Sequence, residues 1–316
     1  MITIGKGYSI MLSVVVPSFN EENTITAFYK KTTELLNGNT HIANFEIIFV
    51  DDGSEDETWS AIKNLMAQDK NVHGIKFSRN FGKEAAIFAG LHKAQGDCAV
   101  IMDCDLQHPP ELIAEMYQHY LTGYQIVRCV KKQRNKEPLL RRICNSLFFN
   151  FFNLFDSAQL NIANMSDFQL IDRKVINYIL QFQETSLFFR GISAYVGFRV
   201  KELEFDVPER IAGNSKWTYH SLIDYALSNM STFSSKPLQI VTLNGLILLL
   251  VAVVLTIRTL YVYFINAAAP GITTVIILLL FIGSMLMISL GIIGFYIGKI
   301  YDEVKHRPRY IIDEEE

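Results

Sequence analysis

Short apolar runs alternate with stretches of helical periodicity along the first two-thirds of the chain. LSVVV (12–16) leads into a polar helix from about Glu22, and EIIFV (46–50) into one from about Glu55. VHGIKF (72–77) precedes a helix from about Gly82, and CAVIM (98–102) one from about Pro109. Such alternation predicts an α/β domain with a mostly parallel sheet and helices on both faces. Ligands of these sheets sit beyond the carboxyl ends of the strands, so the residues just after each run are where chemistry is expected.

The last third reads differently. No charge occurs from Pro237 to Ile257, and none from Ile265 to Gly298. A bilayer core takes roughly 20 apolar residues per helix, so each run is long enough to span. NAAAPGI between them leaves room only for a tight turn, and the pattern predicts a two-helix transmembrane hairpin. Lys236 precedes the first run and Lys299, Lys305, Arg307 and Arg309 follow the second, which by the positive-inside rule puts both chain ends in the cytoplasm. Arg258, near the outer end of the first run, snorkels to the interface. MITIGKGYSIMLSVVV has no long apolar segment before a cleavage site and reads as no signal peptide. The expected division is a cytoplasmic domain over 1–235, two transmembrane helices over 236–298 and a cytoplasmic tail over 299–316.

Composition adds two constraints. The 316 residues are 50 % hydrophobic with net charge −3 and a pI near 6.2, so no basic field argues for nucleic acid. Cys98, Cys104, Cys129 and Cys144 show no CxxC spacing and are expected as thiols in a reducing compartment.

The four strand ends carry PSFNEEN, DDGSEDET, SRNFGKEAA and DCDLQHPPE. Asp103 and Asp105, at i and i+2, point to one face of an extended chain. They repel unless a cation lies between them, and Mg²⁺ or Mn²⁺ with one or two carboxylates and substrate phosphates would suit. The plainer alternative makes one Asp a helix cap and leaves the other solvated. No GxGxxG follows the first strand, and NFGKEAA lacks the GxxxxGK[ST] frame of a phosphate loop. Asp51 and Asp52 are placed to accept from a base N–H or a ribose hydroxyl, while Gly53 and Ser54 read as turn and cap.

VVVPSFNEE, FVDDGSEDET, SRNFGKEAA and MDCDLQHPPE, in this order, resemble the family-two glycosyltransferases of the GT-A fold, which is Rossmann-like. MSDFQLIDRKV, LFFRGI, ERIAGNSKW and YDEVKHRPRYI narrow the resemblance to the polyprenyl-phosphate glycosyltransferases, such as bactoprenol glucosyltransferases and, more distantly, dolichol-phosphate mannose synthases. The resemblance implies that Pro17, Phe19, Glu21 and Asp51 line the nucleoside pocket, with Asp52 and Asp103 beside the donor. Relatives commonly have Tyr where Phe19 stands, so a hydroxyl contact is lost. It further implies that Asp103 and Asp105, helped by Gln107, hold a divalent cation on the diphosphate, and that Asp167 matches a general base of the bacterial members. Arg210 and Lys216 would engage phosphates, as would Lys131, which replaces the usual Arg and lacks its bidentate fork. A homo-tetramer in the bacterial inner membrane is also implied.

A lipid acceptor needs a junction between membrane and site. PLLRRICNSLFFNFFNLF (138–155) has Leu140, Ile143, Leu147, Phe151 and Leu154 at helical spacing. Arg142, Asn145 and Ser146 lie on another side, which suits an interfacial helix offering Arg142 and Ser146 to the acceptor phosphate. Residues 221–235 form a second candidate. The expected reaction is inverting transfer of a hexose from a nucleotide sugar, UDP-glucose first, to undecaprenyl phosphate. A processive polysaccharide synthase shares the acids but needs a QxxRW motif and more spans, neither of which is here. A non-catalytic nucleotide-sugar-binding protein would not need the whole set of acids and cations.

Overall fold

The structure is a computed structural model that describes residues 10–132, 165–184, 188–206, 236–264 and 271–316. Arg142, Ser146, Arg210 and Lys216, with the interfacial segments 138–155 and 221–235, lie outside the described residues. The chain divides into two compact units, one holding the sheet and the other the long C-terminal helices.

The sheet unit begins with four strand–helix pairs. These are β1 (Met11–Ser18) with α1 (Ile25–Asn37), β2 (Asn44–Asp51) with α2 (Thr58–Gln68), β3 (Val72–Phe77) with α3 (Lys83–Lys93), and β4 (Cys98–Ile101) with α4 (Leu112–Leu121). β5 (Ile126–Lys131), β6 (Met165–Asp172), α5 (Arg173–Ile179), α6 (Phe189–Tyr195) and β7 (Val200–Phe205) follow, and β8 (Ile312–Glu315) ends the chain. The strand order is β7-β5-β6-β4-β1-β2-β3-β8. β1 pairs in parallel with both β2 and β4, so the direction of winding reverses beside β1, where the carboxyl ends open a crevice. Val14, Val15 and Val16 are wholly buried because helices cover both faces. On α3, a Cβ at Gly90 would lie 2.3 Å from Cγ1 of Val15, so only glycine lets this helix settle so close to the sheet.

The continuous apolar runs predict β1 to β4 correctly, and three of the four helices start about three residues later than expected. β5 to β8 are not announced by such runs. β6 runs antiparallel between β4 and β5, with Ile101 opposite Gln169. Asp172 ends it by capping α5, its Oδ1 accepting from the N–H of Lys174 at 2.7 Å.

The second unit contains α7 (Lys236–Phe264) and α8 (Ile272–Val304). Among the described residues Phe281–Val304 is long and apolar enough to cross a membrane, whereas the apolar stretch Leu243–Leu255 in α7 is shorter. α8 runs on past Gly298 to Val304. Residues 308–316 are also not a free tail: they belong to the sheet unit, with β8 antiparallel to β3. Phe77 stacks on Tyr310 at 4.9 Å, and Lys93 pairs with Glu315 at 2.9 Å, which explains how so acidic a segment becomes a strand.

Candidate active site

The loops after β1 and β2 form one wall. The N–H of Asp52 donates to the Ser18 carbonyl at 2.9 Å, that of Asn20 to Ser54 Oγ at 2.9 Å, and that of Glu21 to Thr58 Oγ1 at 2.8 Å. Asn20 takes the left-handed conformation (φ 54°) that the tight bend after Phe19 requires. Gly53 is fixed too: its φ is +68° and a Cβ would sit 2.3 Å from the Arg79 backbone. Pro17, Phe19, Glu21 and Asp51 are thus brought to one place. Asp51 is fully buried, its Oδ1 accepts from the Ser54 N–H at 3.0 Å, and Oδ2 has no hydrogen-bond partner. Burial pushes its pKa up.

Asp52 turns the other way. Its carboxylate accepts from the N–H of Phe81 at 2.7 Å and of Gly82 at 2.9 Å, so it holds the start of α3 rather than facing the crevice. Burial nevertheless pushes it up to about 6, against the effect of those two N–H groups. The outcome is a fixed origin for Lys83, the first residue of α3.

Lys83 is the residue that sequence reasoning missed. Its ammonium lies 2.6 and 2.9 Å from the two carboxylate oxygens of Asp103 and 2.8 Å from Oδ2 of Asp167. The fold explains the meeting. β6 is antiparallel to β4 with positions summing to 270, and that register extended past Ile101 sets Asp103 opposite Asp167. Arg190, from α6, adds a second cation, with Nε 2.9 Å from Oδ1 of Asp167. Both residues stand in motifs quoted above, NFGKEAA and LFFRGI, but nothing local says where their side chains reach.

Charge states follow from these contacts. Burial works against the charged form of Asp103, yet Lys83 and then His108 outweigh it and hold the carboxyl below its usual range. Asp167 is likewise held far down, by Lys83 and Arg190 against burial. Burial disfavours the Lys83 charge too, but the two carboxylates push its pKa up. Glu84 takes the opposite course, since burial and then Asp167 push it up to about 7. Its Oε2 accepts the Phe189 N–H at 2.8 Å and so ties α3 to α6.

His108, also missed, organises the acid loop. Nδ1 accepts from the Asp103 N–H at 3.0 Å, and Nε2 lies 2.9 Å from Ser166 Oγ. The ring stacks on Phe168 at 5.0 Å. Asp105 Oδ1 accepts the Gln107 N–H at 3.0 Å, in a turn where Leu106 has φ 59°. Lys131 closes β5.

Among the described residues no three His, Cys, Asp or Glu side chains form a metal cage. The donor set still fits a hard divalent cation that brings phosphate ligands of its own, because such ions need only one or two carboxylates. Asp103 already grips a cation with both oxygens, the Lys83 ammonium standing where an ion would chelate.

The carboxyl edge of the sheet thus carries acids on three loops, with Lys83 and Arg190 facing Asp103 and Asp167, on a GT-A-like α/β fold. The chain belongs to glycosyl transferase family 2, whose model matches residues 13–180, and it is a glycosyltransferase. It is 36 % identical over 308 residues to the bactoprenol glucosyl transferase of Shigella phage SfV, covering 96 % of this chain and 98 % of that one. The prophage bactoprenol glucosyl transferase homolog of Escherichia coli K12 is also 36 % identical, over 302 residues, with 95 % and 98 % covered. A crystal structure of glucosyl-3-phosphoglycerate synthase from Mycobacterium tuberculosis with Mn²⁺, uridine diphosphate and phosphoglyceric acid superposes with a TM-score of 0.48. It shares 20 % identity and covers 71 % of this chain and 77 % of that one.

Proposed function

We propose that the protein transfers a hexose, glucose from UDP-glucose in the first instance, to the phosphate of a membrane polyprenyl phosphate. The observation that carries this reading is the meeting of Asp103 and Asp167 across the Lys83 ammonium just past the carboxyl end of β4. Chain-long likeness to proteins named bactoprenol glucosyl transferase supports the choice of sugar and lipid.

Asp51, with its unpartnered buried oxygen, is suited to accept from the donor's base or ribose. Asp103 and Asp105 would hold a divalent cation, which when bound neutralises charge growing on the leaving diphosphate. Asp167 orients rather than deprotonates. Both its oxygens face cations, and a carboxylate so stabilised is a poor proton acceptor at neutral pH. The acceptor makes little demand for a base, since a phosphate monoester with a second pKa of about 6 is already mostly dianionic. Attack from the face opposite the diphosphate inverts the anomeric centre.

The membrane reading rests on α7 and α8. At 1.5 Å per residue they are about 43 and 50 Å long, more than the roughly 30 Å hydrocarbon core. Leu246, Leu249, Leu250, Leu279, Met287 and Leu290 are each more than half exposed, a surface suited to lipid rather than water. Leu160–Tyr219 and Pro308–Glu316, which flank the helical unit in sequence, belong to one unit, and a chain that leaves a body and returns to it crosses a membrane an even number of times. Two crossings, with the sheet unit and both ends in the cytoplasm, satisfy this and the positive flanks.

The test is a panel of radiolabelled nucleotide sugars incubated with the full-length protein and undecaprenyl phosphate, followed by lipid extraction. Label in the lipid phase from UDP-glucose alone supports the reading. Label from another sugar corrects the donor, and no labelled lipid from any donor overturns the reading.

A further inference from the structure

Lys83 offers three N–H donors and all three face carboxylate oxygens, two on Asp103 and one on Asp167. The pair on Asp103 brackets the side where both oxygens converge, the position a chelated cation takes. The backbone at this point is fixed, because Asp52 holds the N–H groups of Phe81 and Gly82. The four-carbon stem above it is flexible, and the side chain is 40 % exposed, so the ammonium can leave without disturbing α3.

We propose that Lys83 is a built-in competitor for the divalent cation, occupying Asp103 in the resting protein and making cation binding conditional on a nucleotide diphosphate. This rests on the metal reading of Asp103 and Asp105 given above. Asp103 and Asp167 face Lys83 and Arg190, which offset their charge. A bare divalent ion would have to displace an ammonium and then remain beside it and the guanidinium, at a large Coulombic cost. An ion arriving with a sugar diphosphate brings two negative charges with its two positive ones. The diphosphate oxygens also give the displaced ammonium a new acceptor. Lys83 therefore yields Asp103 when the donor is present and reclaims it when the donor leaves. It acts here as a positioning residue, through Asp103.

The experiment measures Mn²⁺ binding, not turnover. Full-length protein in detergent is titrated with Mn²⁺, and free ion is read by electron paramagnetic resonance. The titration is run with and without UDP and corrected for Mn²⁺ that UDP holds by itself. Without nucleotide, Lys83→Gln should bind Mn²⁺ at least about tenfold more tightly than the unaltered protein. Lys83→Arg, which keeps the charge, should match the unaltered protein. UDP should tighten Mn²⁺ binding in both proteins, and by a clearly larger factor in the unaltered protein than in Lys83→Gln. Equal affinity of Lys83→Gln and the unaltered protein without UDP, with both binding when UDP is added, overturns the competitor role and leaves the metal reading standing. Mn²⁺ that binds the unaltered protein equally well with and without UDP overturns it too, whatever the variants do. Failure of every protein to bind Mn²⁺ even with UDP removes the metal reading and this inference together.

Discussion

The backbone N–H of Asp103 donates to Nδ1 of His108 at 3.0 Å, so a neutral imidazole shapes the loop that carries the acids. Burial pushes the His108 pKa down, which keeps Nδ1 free to accept. With Nδ1 accepting, Nε2 carries the proton and donates to Ser166 Oγ. Replacing the ring by Phe keeps the stack on Phe168 but strands a buried N–H and a hydroxyl. His108→Phe should lose about 1–3 kcal/mol of stability. It should also lower lipid-sugar synthesis about tenfold or more through misplacement of Asp103. Urea unfolding and the extraction assay measure the two effects.

Asp105→Asn should cut synthesis by about 10²-fold or more, some 2.7 kcal/mol of transition-state stabilisation. Near-normal turnover of this variant in EDTA-treated membranes would exclude a metal held by Asp105.

Asp167→Asn distinguishes orientation from base catalysis. An orienting role predicts a modest fall in kcat that does not deepen between pH 8 and pH 7. A required base predicts a loss on the order of 10²–10⁴-fold. The variant should also lose part of its dependence of stability on acid. Asp167 titrates below its ordinary value in the folded protein, so its contribution is present above that value and fades as the pH falls beneath it. Thermal unfolding from pH 5 to pH 3 should be flatter for Asp167→Asn than for the unaltered protein.

Glu84 has the opposite sign. Its folded pKa is pushed from 4.5 to about 7, so its contribution is most favourable below the ordinary value and is lost as the pH rises through 7. Glu84→Gln should therefore gain in melting temperature relative to the unaltered protein between pH 5 and pH 8. Parallel melting curves across that range would show that the shift is absent.

Ending the chain at Ser235 removes β8 as well as the helices. The N–H of Gly74 and of Glu316 each donate to the other's carbonyl at 3.1 Å, and the N–H of Ser78 donates to Ile311 at 3.0 Å; these bonds would go. The fragment should melt at a lower temperature than a version to which residues 308–316 are joined by a flexible linker. Equal melting temperatures would mean that β8 contributes nothing to the sheet.

Much of this arrangement was legible in the chain. β1, β2 and β4 are almost wholly buried and read as apolar runs, and two of the strand-end segments, SRNFGKEAA and DCDLQHPPE, carry Lys83 and Asp103, which meet. β5 and β6 were not, because Arg128, Ser166, Asp167 and Gln169 interrupt their pattern, and Ser166 and Asp167 meet His108, Lys83 and Arg190, which no local window contains. β8 reads as a charged tail, since its strand character depends on partners such as Lys93. Lys83 was read only against the phosphate-loop frame, which it fails. Its partners are 20 and 84 residues away, a distance spanned by the sheet and not by any motif.

That β3 is closed by a strand from beyond the long helices has a consequence for synthesis. Residues 10–132 can collapse early on the ribosome, but β3 keeps an open edge until both helices have been made, because Ile312–Glu315 follow them in the chain. A chain interrupted within the helices therefore carries an unpaired strand that quality-control factors can recognise.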